Sequence, residues 1–160
     1  MKQYIFILTA TVLLLLTACN NDEQCRKETY LRFYAGFYHA TVNSTTKAVS
    51  ESTVSLAKLS VTGIGSDSIL YSDTTVASLI LPLNKLKGES VYKITKDTIS
   101  DTIRIFHTNY NTYLSLECGS IKTFKIDTVL FTKHFIDSIK ISERNVNTST
   151  SAKQNIKIYN

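Results

Sequence analysis

The chain has 160 residues, 43% of them hydrophobic and 19% charged, which suits a single domain with a sizeable core. Its 18 Lys and Arg outnumber 13 Asp and Glu, but they are scattered with no basic run, so no nucleic-acid partner is expected. The mild excess fits ordinary solubility and some attraction to anionic lipid headgroups.

The chain opens Met1-Lys2-Gln3 and then runs through apolar residues from Tyr4 to Leu16. One lysine and a short apolar stretch have the build of a secretory signal. A membrane-spanning helix needs roughly 20 apolar residues, so this run is a poor span. Next comes Leu16-Thr17-Ala18-Cys19, which resembles the lipobox of bacterial lipoproteins. The resemblance implies cleavage between Ala18 and Cys19, a diacylglyceryl thioether on the Cys19 sulfur and an acyl group on the freed amine. Two or three chains anchor a protein stably where one does not. No cofactor other than this covalent lipid is expected. The alternative is a plain secretory signal with an incidental cysteine. The reading divides the chain into a signal peptide (1–18), a lipidated acidic tether (19–24) and one folded domain (25–160).

No Asp follows Cys19 directly, so the inner-membrane retention signal of enterobacterial lipoproteins is missing. Asp22-Glu23 resembles the surface-export signal of lipoproteins in Bacteroides-type bacteria, with a solvated tether as the alternative. The expected location is the outer membrane, with the periplasmic face and the cell surface both open. Of three cysteines, Cys25 and Cys118 remain in a compartment that permits disulfides. A bridge between them would close a loop of about 93 residues and contribute on the order of 4–5 kcal/mol. The other option is two thiols, with Cys118 buried as a small hydrophobe.

Beyond residue 24, period-two alternation and β-branched or aromatic residues dominate. Leu31, Phe33, Ala35 and Phe37 share one face of a first strand; Tyr30, Arg32, Tyr34 and Tyr38 share the other. Residues 39–52 read as a polar loop. A second strand covers 53–63, and its parity slip between Leu56 and Leu59 predicts a bulge or a late start. Residues 63–67 form a turn. A strand at 76–83 follows, with Pro82 at an edge or an end. Strands at 91–95 and 101–107 come next, with His107 as a strand-end residue and 108–111 as a hairpin loop. Residues 113–118 place Leu114, Leu116 and Cys118 on one inward face. Phe124 and Ile126 point inward from a strand at 122–130. The last strands lie at 135–141 and 155–159, with a polar loop at 145–154. Eight or nine short strands of this kind predict an antiparallel β-sandwich, Ig-like or Greek-key, with a barrel as the alternative.

No catalytic set is visible. His39, His107 and His134 lack ligand spacing, and no phosphate loop, nucleophile elbow or EF-hand loop occurs. Glu117 beside Cys118 would raise a thiol pKa and argues against a reactive cysteine. The stripe of Tyr30, Tyr34 and Tyr38 is either a binding face, for glycans above all, or a half-buried sheet face with wet hydroxyls. Trp, the strongest stacking platform, is absent from the sequence.

Six of the seven aspartates precede Ser or Thr and then Ile, Val or Thr. The acceptors would be Ser68, Thr74, Thr98, Thr102, Thr128 and Ser138. The triplet resembles the O-glycosylation motif of exported proteins in Bacteroides-type bacteria, which would keep used acceptors at the surface. The alternative is that polar-Thr-apolar is simply how strands begin.

Several short motifs together resemble one uncharacterised lipoprotein family of Bacteroides-type bacteria, a domain of unknown function similar to DUF6452. They are the lipobox with Cys25 close behind, Leu31-Arg32-Phe33-Tyr34, Leu81-Pro82-Leu83-Asn84, Glu117-Cys118-Gly119 and Ile156-Lys157-Ile158-Tyr159. His134-Phe135-Ile136 stands where an aromatic-led strand is expected. The family carries no activity to transfer, and the resemblance implies pairing of Cys25 with Cys118. The expectation is a non-enzymatic envelope lipoprotein, held to the membrane by lipid and serving as an accessory or binding subunit of an outer-membrane protein. The alternative is a surface glycan-binding module using the tyrosine face. Oligomeric state is left open.

Overall fold

The computed structural model describes residues 31–116, 118–150 and 153–160. Cys19, Cys25, Tyr30 and the segment expected to be a signal peptide (1–18) lie outside them. Among the described residues, contacts set Tyr113–Ile121 apart from a larger unit of Leu31–Thr112 and Lys122–Asn160. The described residues are all-β, with no helix among them. The strands are β1 (Phe33–Val42), β2 (Val49–Thr53), β3 (Leu56–Gly63), β4 (Ser68–Val76), β5 (Ser78–Leu81), β6 (Glu89–Lys96), β7 (Ile99–Ser115), β8 (Gly119–Phe131), β9 (Ser138–Ile141), β10 (Asn145–Val146) and β11 (Ile156–Tyr159).

In the larger unit two sheets pack as a sandwich. One sheet runs β2-β1-β11-β9, with β5 also on β1; the other runs β10-β8-β7-β6-β3-β4. Alternation in β1 sends Phe33, Ala35 and Phe37 inward, all at 0% exposure. They meet Ile156 and Ile158 of β11 and Leu79 and Leu81 of β5 in one cluster with Leu59, Val61, Ile94, Ile103, Ile105 and Ile126 of the facing sheet. Burying each large aliphatic side chain contributes roughly 1.5–3 kcal/mol before chain entropy is set against it. The sandwich expectation holds, but one pair departs from antiparallel order. β1 runs parallel to β11, with Ala35 opposite Ile156 and Phe37 opposite Ile158. On its other edge β1 meets β5 through residues 33–36 and β2 through residues 38–42.

The slip between Leu56 and Leu59 is a bulge. Lys58 has φ 54°, and the register against β4 shifts between those two leucines, so both reach the core. The β1–β2 hairpin occupies what reads as a loop at 39–52. Its residues are exposed, so no apolar period marks it; Asn43 Oδ1 closes the turn by accepting the N–H groups of Thr45 and Thr46. β4 was likewise silent in the sequence. It is an outer strand whose register against β3 shifts beside Asp73, whose φ is 47° and whose N–H donates to Ser60 Oγ.

Residues 108–111 are not a hairpin loop. β7 continues through them to Ser115, and the predominantly exposed stretch 108–113 loses the inward apolar signal. The turn takes in Leu116 and Cys118 instead, with Gly119 at φ 66° and the Cys118 N–H donating to Ser115 Oγ. Leu116 therefore stands 91% exposed rather than inward, and Cys118 is half-buried and engaged. Residues 135–137 precede β9 rather than opening it. Pro82 directly follows β5, as an end-of-strand proline should.

Candidate functional site

The outward face of the five-stranded sheet carries its densest polar and aromatic cluster. Alternation puts Tyr34, Gly36 and Tyr38 of β1 on this face. The parallel register sets Lys157 opposite Gly36 and Tyr159 opposite Tyr38. Glu51 arrives from β2, opposite Ala40. Lys157 Nζ lies 2.5 Å from Glu51 Oε2, and Tyr159 donates its hydroxyl to Glu51 Oε1 at 2.8 Å. Lys157 Nζ also stands 4.7 Å from the centre of the Tyr38 ring. The Tyr38 and Tyr159 rings are 6.1 Å apart and tilted by 47°.

Gly36 makes room for a further member. A Cβ there would lie 1.5 Å from Gln154 Nε2, so the glutamine lies directly over the glycine and accepts the Tyr38 hydroxyl at 2.7 Å. Mutual cover leaves the Lys157 and Glu51 side chains only 26% and 28% exposed. Hydrogen bonds from Lys157 and then Tyr159 lower the Glu51 carboxyl below its ordinary pKa. The Glu51 bond raises Lys157, while burial and then Glu51 raise the Tyr159 hydroxyl. The ion pair is thus fixed in its charged form at neutral pH. A hollow of about 290 Å³ opens beside it, lined in part by His39, Glu51, Asp137, Ser138 and Tyr159.

Two other polar sets are structural braces. Asp101 starts the inward stripe of β7, which continues through Ile103, Ile105 and His107. Its carboxylate is covered and accepts the Thr132 hydroxyl at 2.5 Å and the N–H groups of His134, Phe135 and Ile136 at 3.0, 2.8 and 3.0 Å. The His134 ring lies 2.8 Å away. Burial alone would raise this carboxyl, but the Thr132, Phe135, His134 and Ile136 bonds outweigh it and hold the pKa below the ordinary value.

His107 is not a strand-end residue; it is buried mid-strand, with Phe124 edge-on at 5.3 Å. Its Nδ1 faces Asn109 Oδ1 at 2.7 Å and its Nε2 faces Ser90 Oγ at 2.9 Å. Asn109 donates its amide to the carbonyls of Asn84 and Lys87, which assigns its oxygen to the ring. His107 therefore carries its proton on Nδ1 and accepts from Ser90. Burial lowers its pKa against the opposing pull of Asn109 and Asp127, so it stays neutral. A Ser–His–Asn order can serve nucleophilic catalysis. Here Ser90 is 6% exposed and its oxygen also accepts the Asn84 N–H at 2.8 Å, so the set ties down residues 84–90.

Tyr34 and Tyr38 share the cluster face, whereas Tyr30 lies outside the described residues. The motif acceptors are spread over several elements. Ser68, Thr98, Thr128 and Ser138 are exposed, while Thr74 and Thr102 are half-buried. Asp67, Asp73 and Asp97 have φ of 49°, 47° and 56°, a left-handed backbone that Asp tolerates better than most residues. The repeated Asp-Ser/Thr pair thus has a turn-and-bulge role at these positions. Among the described residues no three His, Cys, Asp or Glu side chains form a metal-binding group, and no helix is long and apolar enough to cross a membrane.

Sequence reasoning missed Glu51, Gln154 and Lys157. Only strand pairing between distant segments brings them together; the parity of Tyr38, Lys157 and Tyr159 was their one local sign. Fold and face together define an all-β sandwich protein with a preorganised aromatic and ionic sheet surface. The chain belongs to the family of unknown function DUF6452, whose model matches residues 58–160. No curated protein matches the chain, and no solved structure matches it.

Proposed function

We propose that this protein is a non-enzymatic lipoprotein of the bacterial envelope, anchored in the outer membrane through Cys19, that binds a protein partner through the outward face of its five-stranded sheet. The observation that carries the binding role is the locked Tyr38–Lys157–Glu51–Tyr159–Gln154 cluster. Groups already held by one another lose little side-chain entropy on binding, and aromatic rings beside a fixed charge pair are strong contributors to protein interfaces. The anchor rests on the Leu16-Thr17-Ala18-Cys19 motif, and the pairing of Cys25 with Cys118 on the family resemblance.

The test is crosslinking in intact cells followed by purification of the full protein and of a Tyr38→Ala, Tyr159→Ala variant. The wild type should carry a stable outer-membrane partner that the variant loses. Recovery of the same partner with both, or of none with either, overturns the interface. A glycan is the second reading, favoured by the hollow beside Tyr159 with its carboxylates and hydroxyls. Glycan-array binding abolished by Tyr159→Ala would support it, and no binding by the wild type would remove it.

A further inference from the structure

We infer that the cleft beside the β3–β4 turn is a binding site for a small organic acid, a carboxylate on an apolar body. The cleft lies within the larger unit and does not draw on the polar cluster of the five-stranded sheet. Gly63 of β3 pairs with Ser68 of β4 on one side and with Tyr92 of β6 on the other, so the turn at 64–67 stands beside the start of β6. The segment that follows β5, from Pro82 to Lys87, supplies the remaining wall. Together they enclose a cavity of about 280 Å³. One water fills about 30 Å³ of liquid, so there is room for a body of about ten non-hydrogen atoms. Ile64, Leu70, Leu83 and Val91 give it an apolar lining, against which an apolar body leaves water.

The polar groups of the cavity set the sign of the ligand. Two charged side chains line it, Lys87 and Glu89. Glu89 Oε2 faces Arg104 Nε at 3.9 Å, which offsets its charge. The Lys87 ammonium has no acceptor among the described residues. Ser68 donates its hydroxyl to Ser66 Oγ at 3.1 Å, which leaves the Ser66 proton to be given. The groups still open are therefore donors, and a carboxylate is what they lack. Lys87 also stands on a fixed base. Its backbone segment is gripped from below: Ser90 Oγ accepts the Asn84 N–H, Asn109 donates to the Asn84 and Lys87 carbonyls, and the His107 N–H donates to the Gly88 carbonyl at 2.9 Å. Asn84 Oδ1 in turn accepts the N–H groups of Leu86 and Lys87 at 2.9 and 3.1 Å. The buried Ser90–His107 pair thus holds residues 84–88 at the rim of the cavity, so little backbone order is left to lose when a ligand arrives.

The probe is 3-phenylpropanoate, an acid of this size, added to the purified full-length protein with labelled methyl groups. It should shift the NMR signals of the Ile64, Leu70, Leu83 and Val91 methyls, saturating with a dissociation constant on the order of 0.1 mM. 3-Phenylpropylamine, with the same ring and the opposite charge, should bind there at least about tenfold more weakly. Lys87→Gln should weaken the acid about tenfold, and Ser66→Ala about threefold. Both residues are exposed, so each variant should keep the methyl spectrum of the free wild type. No saturable shift at these methyls overturns the inference. So does equal binding of acid and amine, or a Lys87→Gln protein that binds the acid as tightly as the wild type. Loss of the proposed partner interface would leave this site standing, because the two share no residue.

Discussion

Asp101 is one aspartate among seven, and nothing in its Asp-Thr-Ile setting separates it from Asp97 four positions earlier. Only its parity with Ile103, Ile105 and His107 shows that it faces inward. Its carboxylate replaces water for several donors of residues 132–136, so the connection between the sheets depends on one side chain. Asp101→Asn keeps the shape but turns an amide N–H₂ toward backbone N–H groups. Unfolding in urea should show a loss of about 2–3 kcal/mol, the cost of leaving buried donors unmet. The lowered pKa gives the pH dependence its sign. A carboxyl bound more weakly to protons in the folded state stabilises the fold above its unfolded value, about 4, and that contribution vanishes as pH falls through the folded value. The wild type should lose this part of its stability below about pH 4, and Asp101→Asn should lack that part of the acid limb.

At the scale of elements, legibility followed burial. The first half of β1, β6 and the early part of β7 bury their inward-facing residues in alternation, and that period is plain in the sequence. β2 and the far part of β7 are mostly or wholly exposed, so polar residues fill both faces and the period vanishes. The Leu56–Leu59 slip was readable because both leucines must reach the core. The polar cluster was not readable, because β1, β2 and β11 contribute to it from opposite ends of the sequence and pairing alone unites them. Gly36 shows how closely these elements depend on one another. Gly36→Ala should push Gln154 off the sheet and break its bond to Tyr38, since the blocking atom is the mobile end of a side chain. The expected cost is about 1 kcal/mol in thermal unfolding, with the larger change in the NMR shifts of Tyr38 and Gln154.

For the whole molecule, the proposed bridge between Cys25 and Cys118 predicts a redox-dependent stability. Reduction should lower the thermal midpoint by about 10 °C, from a few kcal/mol of lost loop constraint spread over a domain of this size. Cys118→Ser should melt at the reduced value and ignore dithiothreitol; a wild type equally indifferent to it would exclude the bridge. The parallel pairing of β1 with β11 bears on a different matter, the order of assembly. Tyr34 binds Asn155 across 121 positions, and Ile156 and Ile158 fill the place beside Ala35 and Phe37. A chain delivered N-terminus first from a ribosome exposes β1 long before β11 exists to cover its edge. That sheet cannot close early: full cover of the β1 edge beside Ala35 and Phe37 waits until β11 has been made.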